Sequence, residues 1–128
     1  MIVAGVGCRR GASAAEIGAA INAAFDRAGI DASALSLIAA PAAKGGETAI
    51  AAAAQTFGVP LVLIPPGDLE SAGERTVTHS ERVIALFGVP SVAEAAALAA
   101  GGPNAQLVMP RIAVGPATCA LAQSGGPP

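Results

Sequence analysis

Three glycines, one thiol and two guanidiniums lie close together near the start of the chain, in the segment Gly5-Val-Gly-Cys-Arg-Arg-Gly-Ala-Ser13. A short apolar run precedes this segment and a long alanine-rich run follows it. Glycine tolerates positive φ and lets a ligand approach the backbone, and the start of a helix presents unpaired N–H groups at the positive end of its dipole. The segment therefore predicts an anion-binding turn where a strand passes into a helix.

The candidate binding residues of this turn are Gly7, Cys8, Arg9, Arg10, Gly11 and Ser13. The arginine side chains offer forked donors for carboxylate or phosphate groups. Cys8 lies beside them, where the pKa of a thiol is commonly lowered, and is a candidate nucleophile. The residues alone leave a second interpretation open, in which both arginines are solvated surface charges and Cys8 is a small buried hydrophobic residue.

Composition narrows the class of protein. A chain of 128 residues is long enough for one domain with a real core. Seven basic and nine acidic residues, with three Phe and neither Trp nor Tyr, argue against a nucleic-acid-binding surface. Two cysteines do not make a disulfide framework, no signal segment is recognisable, and no apolar run reaches the roughly 18 residues of a membrane span. We expect a cytoplasmic protein without a membrane segment.

Short apolar runs alternate with longer alanine-rich runs. Strands are predicted at 2–6, 35–40 and 61–64, and helices follow the first two, one capped by Ser13 with Glu16 and one beginning after Glu47. Segments 106–114 and 117–121 predict a hairpin, so the sheet should be mixed. The pattern indicates a single three-layer α/β/α domain, residues 1–123, with a mainly parallel sheet of about five strands and a disordered tail, 124–128.

The remaining segments are predicted as follows. Asp68 to Arg75 is polar enough to be a loop with at most one helical turn, and a third helix begins at Thr78 or Ser80 and ends near Phe87. Ser91 caps a fourth helix, and Glu94, three residues on, completes a second capping box.

Charged residues also follow the second strand. Lys44 and Glu47 lie in the turn after it, and Arg111 lies in the predicted hairpin. The carboxyl ends of parallel neighbours share one edge of a sheet, so Arg9, Arg10 and Lys44 should converge on one crevice. Glu47 has three candidate roles: charge or capping at the start of its helix, an ion pair with Lys44, or a catalytic base. His79 stands without companions at ligand spacing, so no metal is predicted, and no cofactor is expected.

Nucleotide and hydrolase motifs do not fit. The spacing Gly5-x-Gly7-x-x-x-Gly11 is one residue longer than the dinucleotide fingerprint, and Pro41 stands where a ribose-binding carboxylate would be expected. The sequence contains neither a P-loop nor a G-x-S-x-G elbow. The anion that the first turn would bind is therefore not predicted to be a nucleotide.

Five motifs follow one another along the chain. They are the first turn, Lys44-x-x-Glu47, Gly88-Val-Pro-Ser-Val-Ala-Glu-Ala-Ala-Ala-Leu98, Met109-Pro-Arg111 and Ala117-Thr-Cys-Ala-Leu-Ala122. In these motifs the chain resembles the cobalamin-biosynthesis CobE/CbiG C-terminal-domain family. These motifs occur in the family's order and span nearly the whole chain up to about Ala122. The resemblance adds Ser91, Glu94 and Arg111 to the candidate ligand-binding residues.

This resemblance implies a role in corrin-ring synthesis. The stand-alone form belongs with the aerobic pathway, where binding or carrying a precorrin-type tetrapyrrole intermediate is the expected role, with other corrin-pathway enzymes as candidate partners. In longer members the activity is hydrolytic opening of the ring-A δ-lactone of cobalt-precorrin-5A with release of acetaldehyde, and this is the alternative function. Cys8 and Glu47 are then the candidate catalytic residues. Precorrins carry several acetate and propionate carboxylates, which suit the arginine-bearing turn.

Overall fold

A mixed β-sheet forms the centre of the protein. The computed structural model describes residues 1–44, 47–78, 84 and 91–124. Within them the sheet has five strands in the order β3-β2-β1-β5-β4, namely β1 (Ile2–Cys8), β2 (Leu35–Pro41), β3 (Leu61–Ile64), β4 (Gln106–Val114) and β5 (Ala117–Gln123). The strands β1, β2 and β3 pair in parallel, whereas β5 is antiparallel to both of its neighbours. The predicted mixed sheet and its C-terminal hairpin are confirmed.

Helices cover both faces of the sheet. The helices of the described residues are α1 (Ala14–Ala28), α2 (Thr48–Phe57), α3 (Pro66–Gly73) and α4 (Val92–Gly101), with short 3₁₀ turns at Ala32–Ala34 and Ala42–Lys44. One core lies between the sheet and α1 with α2, and a second lies between the sheet and α3 with α4. The predicted three-layer α/β domain is therefore confirmed, because each face of the sheet buries its own apolar set.

Local signals specify the ends of α1 and α2. The Ser13 hydroxyl accepts a hydrogen bond from the Glu16 N–H at 3.1 Å, and the Glu16 carboxylate accepts one from the Ser13 N–H at 2.9 Å. Gly29 and Gly58 end α1 and α2 in the left-handed conformation. The predicted capping box at Ser13 is confirmed, and all of these caps depend only on neighbouring residues.

The prediction of a loop over Asp68 to Arg75 was wrong, because a helix, α3, occupies Pro66–Gly73. Proline at the first helical position lacks only an N–H that would have no partner within the helix. Leu69 and Ala72, three residues apart, bury one face against α4. The predicted helix between Thr78 or Ser80 and Phe87 lies almost entirely outside the described residues, as do residues 125–128 of the predicted tail.

Gly5 lies within β1, as predicted, whereas Gly7, which was predicted to belong to the turn, also lies within β1. A Cβ atom at Gly5 would lie 1.9 Å from the Ala93 carbonyl oxygen and 2.6 Å from the Ala97 nitrogen, both in α4. One at Gly7 would lie 2.9 Å from a methyl carbon of Val92. Gly5 therefore admits the backbone of α4, and Gly7 accommodates the side chains of Val92 and Thr118, so packing requires both glycines.

Replacing Gly5 with alanine should destabilise the fold strongly. The added methyl group would meet backbone atoms of α4, which cannot move without shifting the helix, and overpacking of this kind costs about 1–3 kcal/mol or more. Urea denaturation followed by circular dichroism measures the loss. Gly67→Ala is the matched control, because nothing lies within 4 Å of the added Cβ. A Gly5→Ala protein as stable as Gly67→Ala would contradict the close contact.

Candidate functional site

The carboxyl ends of the parallel strands form one edge of the sheet, and helices begin along it. The helices α1, α2 and α3 each follow a parallel strand and therefore start there. The first residue of α4, Val92, lies against Gly7 near the end of β1, so α4 starts there too. The N-termini of all four helices of the described residues thus face this edge, and each contributes the positive end of its helix dipole there.

The arginine turn, residues Arg9 to Ala12, projects from this edge. The Ala12 N–H donates to the Arg9 carbonyl at 3.1 Å, and Gly11 has φ 86°, which is the conformation that favours glycine at the third position of a type II turn. The Arg9 N–H donates to the Pro116 carbonyl at 2.9 Å and anchors the turn to the hairpin. Arg9, Arg10 and Gly11 are exposed. Both guanidiniums are therefore presented to solvent beside the start of α1.

Cys8, Lys44 and Glu47 lie at the same edge of the sheet. Cys8 ends β1, and Lys44 and Glu47 follow the end of β2, its parallel neighbour. The Glu47 N–H donates to the Lys44 carbonyl at 2.9 Å, but the Glu47 side chain makes no capping hydrogen bond to α2. The start of α2 therefore has no side-chain cap from its own N-cap residue, unlike α1.

The expectation of a lowered thiol pKa at Cys8 was wrong. Partial burial raises the pKa of Cys8 above its ordinary value of 9.0, the Lys44 ammonium opposes this shift, and the Glu47 carboxylate adds to it. The thiol packs against the core on the α1 side. Cys8 is therefore protonated at neutral pH and is a poor nucleophile without a base. Burial likewise raises the pKa of Cys119, which is fully enclosed within β5.

Glu94 is fully buried in α4 and acts as a hydrogen-bond centre. One carboxylate oxygen accepts from the Val77 N–H at 2.7 Å and the Thr78 N–H at 2.9 Å. The other accepts from the Thr78 hydroxyl at 2.5 Å and the Arg111 N–H at 2.8 Å. Ser91 caps α4 as predicted, through the Glu94 N–H at 3.4 Å. Only half of the predicted capping box is therefore formed. The Glu94 carboxylate, which would have bonded the Ser91 N–H, accepts instead from the Val77–Thr78 segment and from β4.

The surroundings of Glu94 keep it charged. Burial alone would raise the pKa of Glu94, but the donors of Arg111, Thr78 and Val77 together hold it below its ordinary value of 4.5. A register shift in β4 between Met109 and Ile112 accompanies the bond from the Arg111 N–H. The sequence contained a signal that Glu94 is buried and hydrogen-bonded, because it is the only charged residue in a helix that is otherwise apolar on every side.

Arg75 was not among the predicted site residues, and it binds the opposite end of α4. Its guanidinium donates at 3.3 Å to the carbonyls of Gly102, Pro103 and Ala105, and at 3.4 Å to that of Leu98. A cation is favourable there because the last carbonyls of a helix lack internal partners. The segment from Arg75 to Thr78 therefore contacts both ends of α4 and holds its start at the sheet edge.

Other features of the described residues are less suited to an anionic ligand. A groove of about 500 Å³ lies between α1 and α2, but its lining includes no charged side chain: Ala14, Ala15, Gly18, Ala19, Asn22, Ala53, Thr56 and Phe57.

In the part of the chain that the structure describes, no three His, Cys, Asp or Glu side chains cluster as metal ligands would. No described helix is both long and apolar enough to cross a membrane.

The family model for the cobalamin synthesis G C-terminus matches residues 2–122 of the chain. The chain belongs to this CbiG C-terminal family. The relative "Protein CobE" from Sinorhizobium sp is 40% identical over 121 residues, which cover 94% of this chain and 79% of that protein. This family assignment identifies the chain as a cobalamin-biosynthesis protein, as the resemblance predicted.

Solved structures of the family have the same fold. The crystal structure of CobE, described as a protein from the cobalamin (vitamin B12) biosynthetic pathway, has a TM-score of 0.89 at 30% identity and covers 95% of this chain and 89% of that one. Cobalamin biosynthesis protein chiG from Agrobacterium tumefaciens str. C58 has a TM-score of 0.76 at 36% identity, covering 98% of this chain and all of that one. The CbiG C-terminal fold thus extends over nearly the whole chain.

Replacing Glu94 with glutamine should destabilise this CbiG-family domain by about 1–3 kcal/mol at neutral pH, because an amide cannot accept every hydrogen bond that the carboxylate accepts. The folded-state pKa of Glu94 is below 4.5, so its stabilisation is fully present above about pH 4.5 and is lost as the pH falls through that pKa. The difference in unfolding free energy between wild type and variant, measured by urea denaturation, should shrink in acid.

The exposed Glu70 on α3 provides a control of the same chemistry, Glu70→Gln, which should change the unfolding free energy by less than about 0.5 kcal/mol. A wild-type advantage over Glu94→Gln that stays constant down to low pH would contradict a charged Glu94.

Proposed function

We propose that the protein binds a precorrin-type tetrapyrrole intermediate of corrin synthesis at the carboxyl edge of β1 and β2. The observation that carries this proposal is the position of the arginine turn, exposed beside Lys44 on an edge where the described helices begin. The family assignment supports the pathway, and the positive edge supports a ligand with several carboxylates.

Each part of the edge has a distinct role in this proposal. Arg9 and Arg10 bind peripheral carboxylates through charge-assisted hydrogen bonds, and Gly11 keeps the turn open for their approach. Lys44 and the start of α2 bind another carboxylate one strand away. Ser13 holds the start of α1 in place through its capping box. The ligand is held by several separate carboxylates and not by one anionic group.

Ser91, Glu94 and Arg111 contribute differently. The side chains of Ser91 and Glu94 are buried and engaged in internal hydrogen bonds, so we assign them to positioning the start of α4 rather than to ligand contact. The backbone of Arg111 belongs to the same hydrogen-bond centre. Its side chain stays among the ligand-binding residues because the family resemblance implies this role.

Cytoplasmic corrin synthesis by the aerobic route is the setting that we propose. Both cysteines are free, which suits a reducing compartment. Other enzymes of the pathway are then the proposed partners, since a bound intermediate must be received from one enzyme and passed to another.

Binding can be measured by titrating the protein with hydrogenobyrinic acid, a polycarboxylate corrinoid, and following its visible spectrum. Arg9→Ala and Arg10→Ala should each weaken binding about 10- to 150-fold, because each removes a charge-assisted hydrogen bond worth roughly 1.5–3 kcal/mol. Arg27→Ala is the matched control, because Arg27 is exposed in the last turn of α1, at the end remote from the arginine turn.

The same titration with a corrinoid whose carboxylates have been converted to amides separates recognition of charge from recognition of shape. Affinity should fall with the number of carboxylates removed. Equal affinity for the acid and the amide, or equal losses in Arg9→Ala and Arg27→Ala, would overturn binding at this edge.

Hydrolysis of the ring-A lactone of a cobalt-precorrin-5A-type intermediate is the second candidate function. The observation that favours it is the Glu47 carboxylate, which makes no capping bond to its own helix and lies near Cys8 at the proposed site. Glu47 would remove a proton from water as the water oxygen attacks the lactone carbonyl. The ring C–O bond would then break, leaving a carboxylate and an alcohol. The C–C bond between the alcohol carbon and the macrocycle would break next: the hydroxyl loses its proton as it becomes the carbonyl of acetaldehyde, and the macrocycle takes up the bonding electron pair and a proton.

Acetaldehyde release from cobalt-precorrin-5A tests this second function. Glu47→Gln should lower the rate by about 100-fold or more, the usual contribution of a general base, whereas Cys8→Ser should retain activity because the Cys8 thiol is protonated. No acetaldehyde from the wild-type protein, with corrinoid binding intact, would leave binding as the function. Loss of activity in Cys8→Ser alone would point to the thiol instead of Glu47.

A further inference from the structure

The two edges of the sheet differ in how they resist pairing with another strand. The edge strand β4 contains Pro110 and register shifts between Leu107 and Met109 and between Met109 and Ile112, and the Arg111 N–H donates inward to Glu94. Proline and irregular register are features that keep an edge strand from adding a further strand. The β4 edge is therefore protected.

The opposite edge strand, β3, has none of these features. Its sequence is Leu-Val-Leu-Ile, without charge or proline, and its register with β2 is regular. Val62 is 36% exposed and Leu63 is 42% exposed, and as successive strand residues they point to opposite faces of the sheet. Apolar surface is thus open on both faces of this edge, which is the pattern of a strand that adds a partner.

The register of β3 with β2 shows which backbone groups point outward. The Ile38 N–H donates to the Pro60 carbonyl at 3.0 Å, and Ile38 lies opposite Leu61. In a parallel ladder the N–H and carbonyl groups of every second residue point to the same neighbouring strand. Because the Pro60 carbonyl points to β2, the backbone groups of Val62 and Ile64 point to β2 as well. The N–H and carbonyl groups of Leu61 and Leu63 point away from β2. Among the residues that the structure describes, none bonds to these outward groups, so they can pair with another strand.

We propose that β3 pairs antiparallel with β3 of a second copy of this chain, about a two-fold axis that passes beside Val62. In this register Leu61 of each copy forms a hydrogen-bonded pair with Leu63 of the other, so all the outward groups of both strands are satisfied. Val62 lies opposite its own counterpart, at about 4.5 Å between Cα atoms. A two-fold axis is what a self-complementary patch of this kind produces.

A second copy fits this edge better than an unrelated peptide. Pro60 and Pro65 flank β3 and have no N–H to donate, so the pairing run is confined to the four residues of the strand. Those four residues offer no charge with which to select a charged peptide. The same sequence run antiparallel places Val62 against Val62 and Leu63 against Leu61 of the other copy, so that apolar side chains cover one another. The dimer would contain one continuous ten-stranded sheet, twice the five strands of one copy.

This inference is independent of the proposed function. The two strands of the interface run in opposite directions, so the carboxyl edges of the two copies face opposite ways and neither ligand-binding edge is covered by the partner. Disruption of the dimer should therefore leave corrinoid affinity unchanged.

Sedimentation velocity over a range of concentrations tests the proposal. Wild type should associate to a dimer. Val62→Lys and Val62→Glu should each weaken association by about tenfold or more, because like charges would face each other across the axis. An equimolar mixture of the two variants should regain the dimer, because unlike charges then face each other. This rescue shows that both variants are folded and fixes the register.

Two further variants sharpen the result. Leu63→Pro removes an outward N–H without touching the β2 ladder, and should give a monomer with a native circular dichroism spectrum. Ala113→Lys adds a charge at an exposed position of the β4 edge and should leave the dimer intact. A wild-type protein that remains monomeric at every concentration, or a mixture of Val62→Lys and Val62→Glu that fails to associate, would overturn the proposal.

Discussion

The close contact between α4 and β1 is the constraint on which the rest of the structure depends. The backbone of the helix lies so near the strand that a single methyl group at Gly5 would overlap the Ala93 carbonyl. Only a residue without a side chain permits this separation. Because Val92 rests on Gly7, the contact also determines where α4 begins, which is beside the end of β1 where the arginine turn starts. Packing on one face of the sheet thereby shapes the edge that we propose as the ligand-binding site.

The buried Glu94 carboxylate secures this arrangement. A charge removed from water is costly unless it is fully hydrogen-bonded, and here the donors come from the segment before α4 and from β4. Any shift of α4 along the strand would break several of these bonds together. Arg75 holds the other end of the helix through its terminal carbonyls. These two charged side chains join α4 to neighbouring segments, so the position of its N-terminus is specific.

Much of the fold could be predicted from local patterns, whereas the site could be predicted only in part. The strand–helix alternation and the cap at Ser13 depend on adjacent residues and were confirmed. The helix at Pro66–Gly73 was missed because its stabilising contacts lie in α4, distant in sequence. Cys8 was expected to be activated by the neighbouring arginines, but its pKa is governed first by burial, which depends on the packed fold. The sequence predicted Glu94 as a cap and, from the resemblance, as a ligand-binding residue. Its hydrogen bonds to Thr78 and Arg111 were missed because these partners lie 16 and 17 residues away.

The sequence by itself determined the α/β class, the ends of most helices, the family, and the presence of an arginine-bearing turn after the first strand, since these depend on short-range chemistry and on ordered motifs. Only the tertiary structure decided that Gly5 and Gly7 pack against α4 and that Lys44 and Glu47 lie near Cys8. It also decided that Glu94 connects α4 to the segment at Val77 and to β4. The physical reason is that close packing and burial are properties of residues brought together from distant parts of the chain. No spacing along the sequence specifies which surfaces will meet.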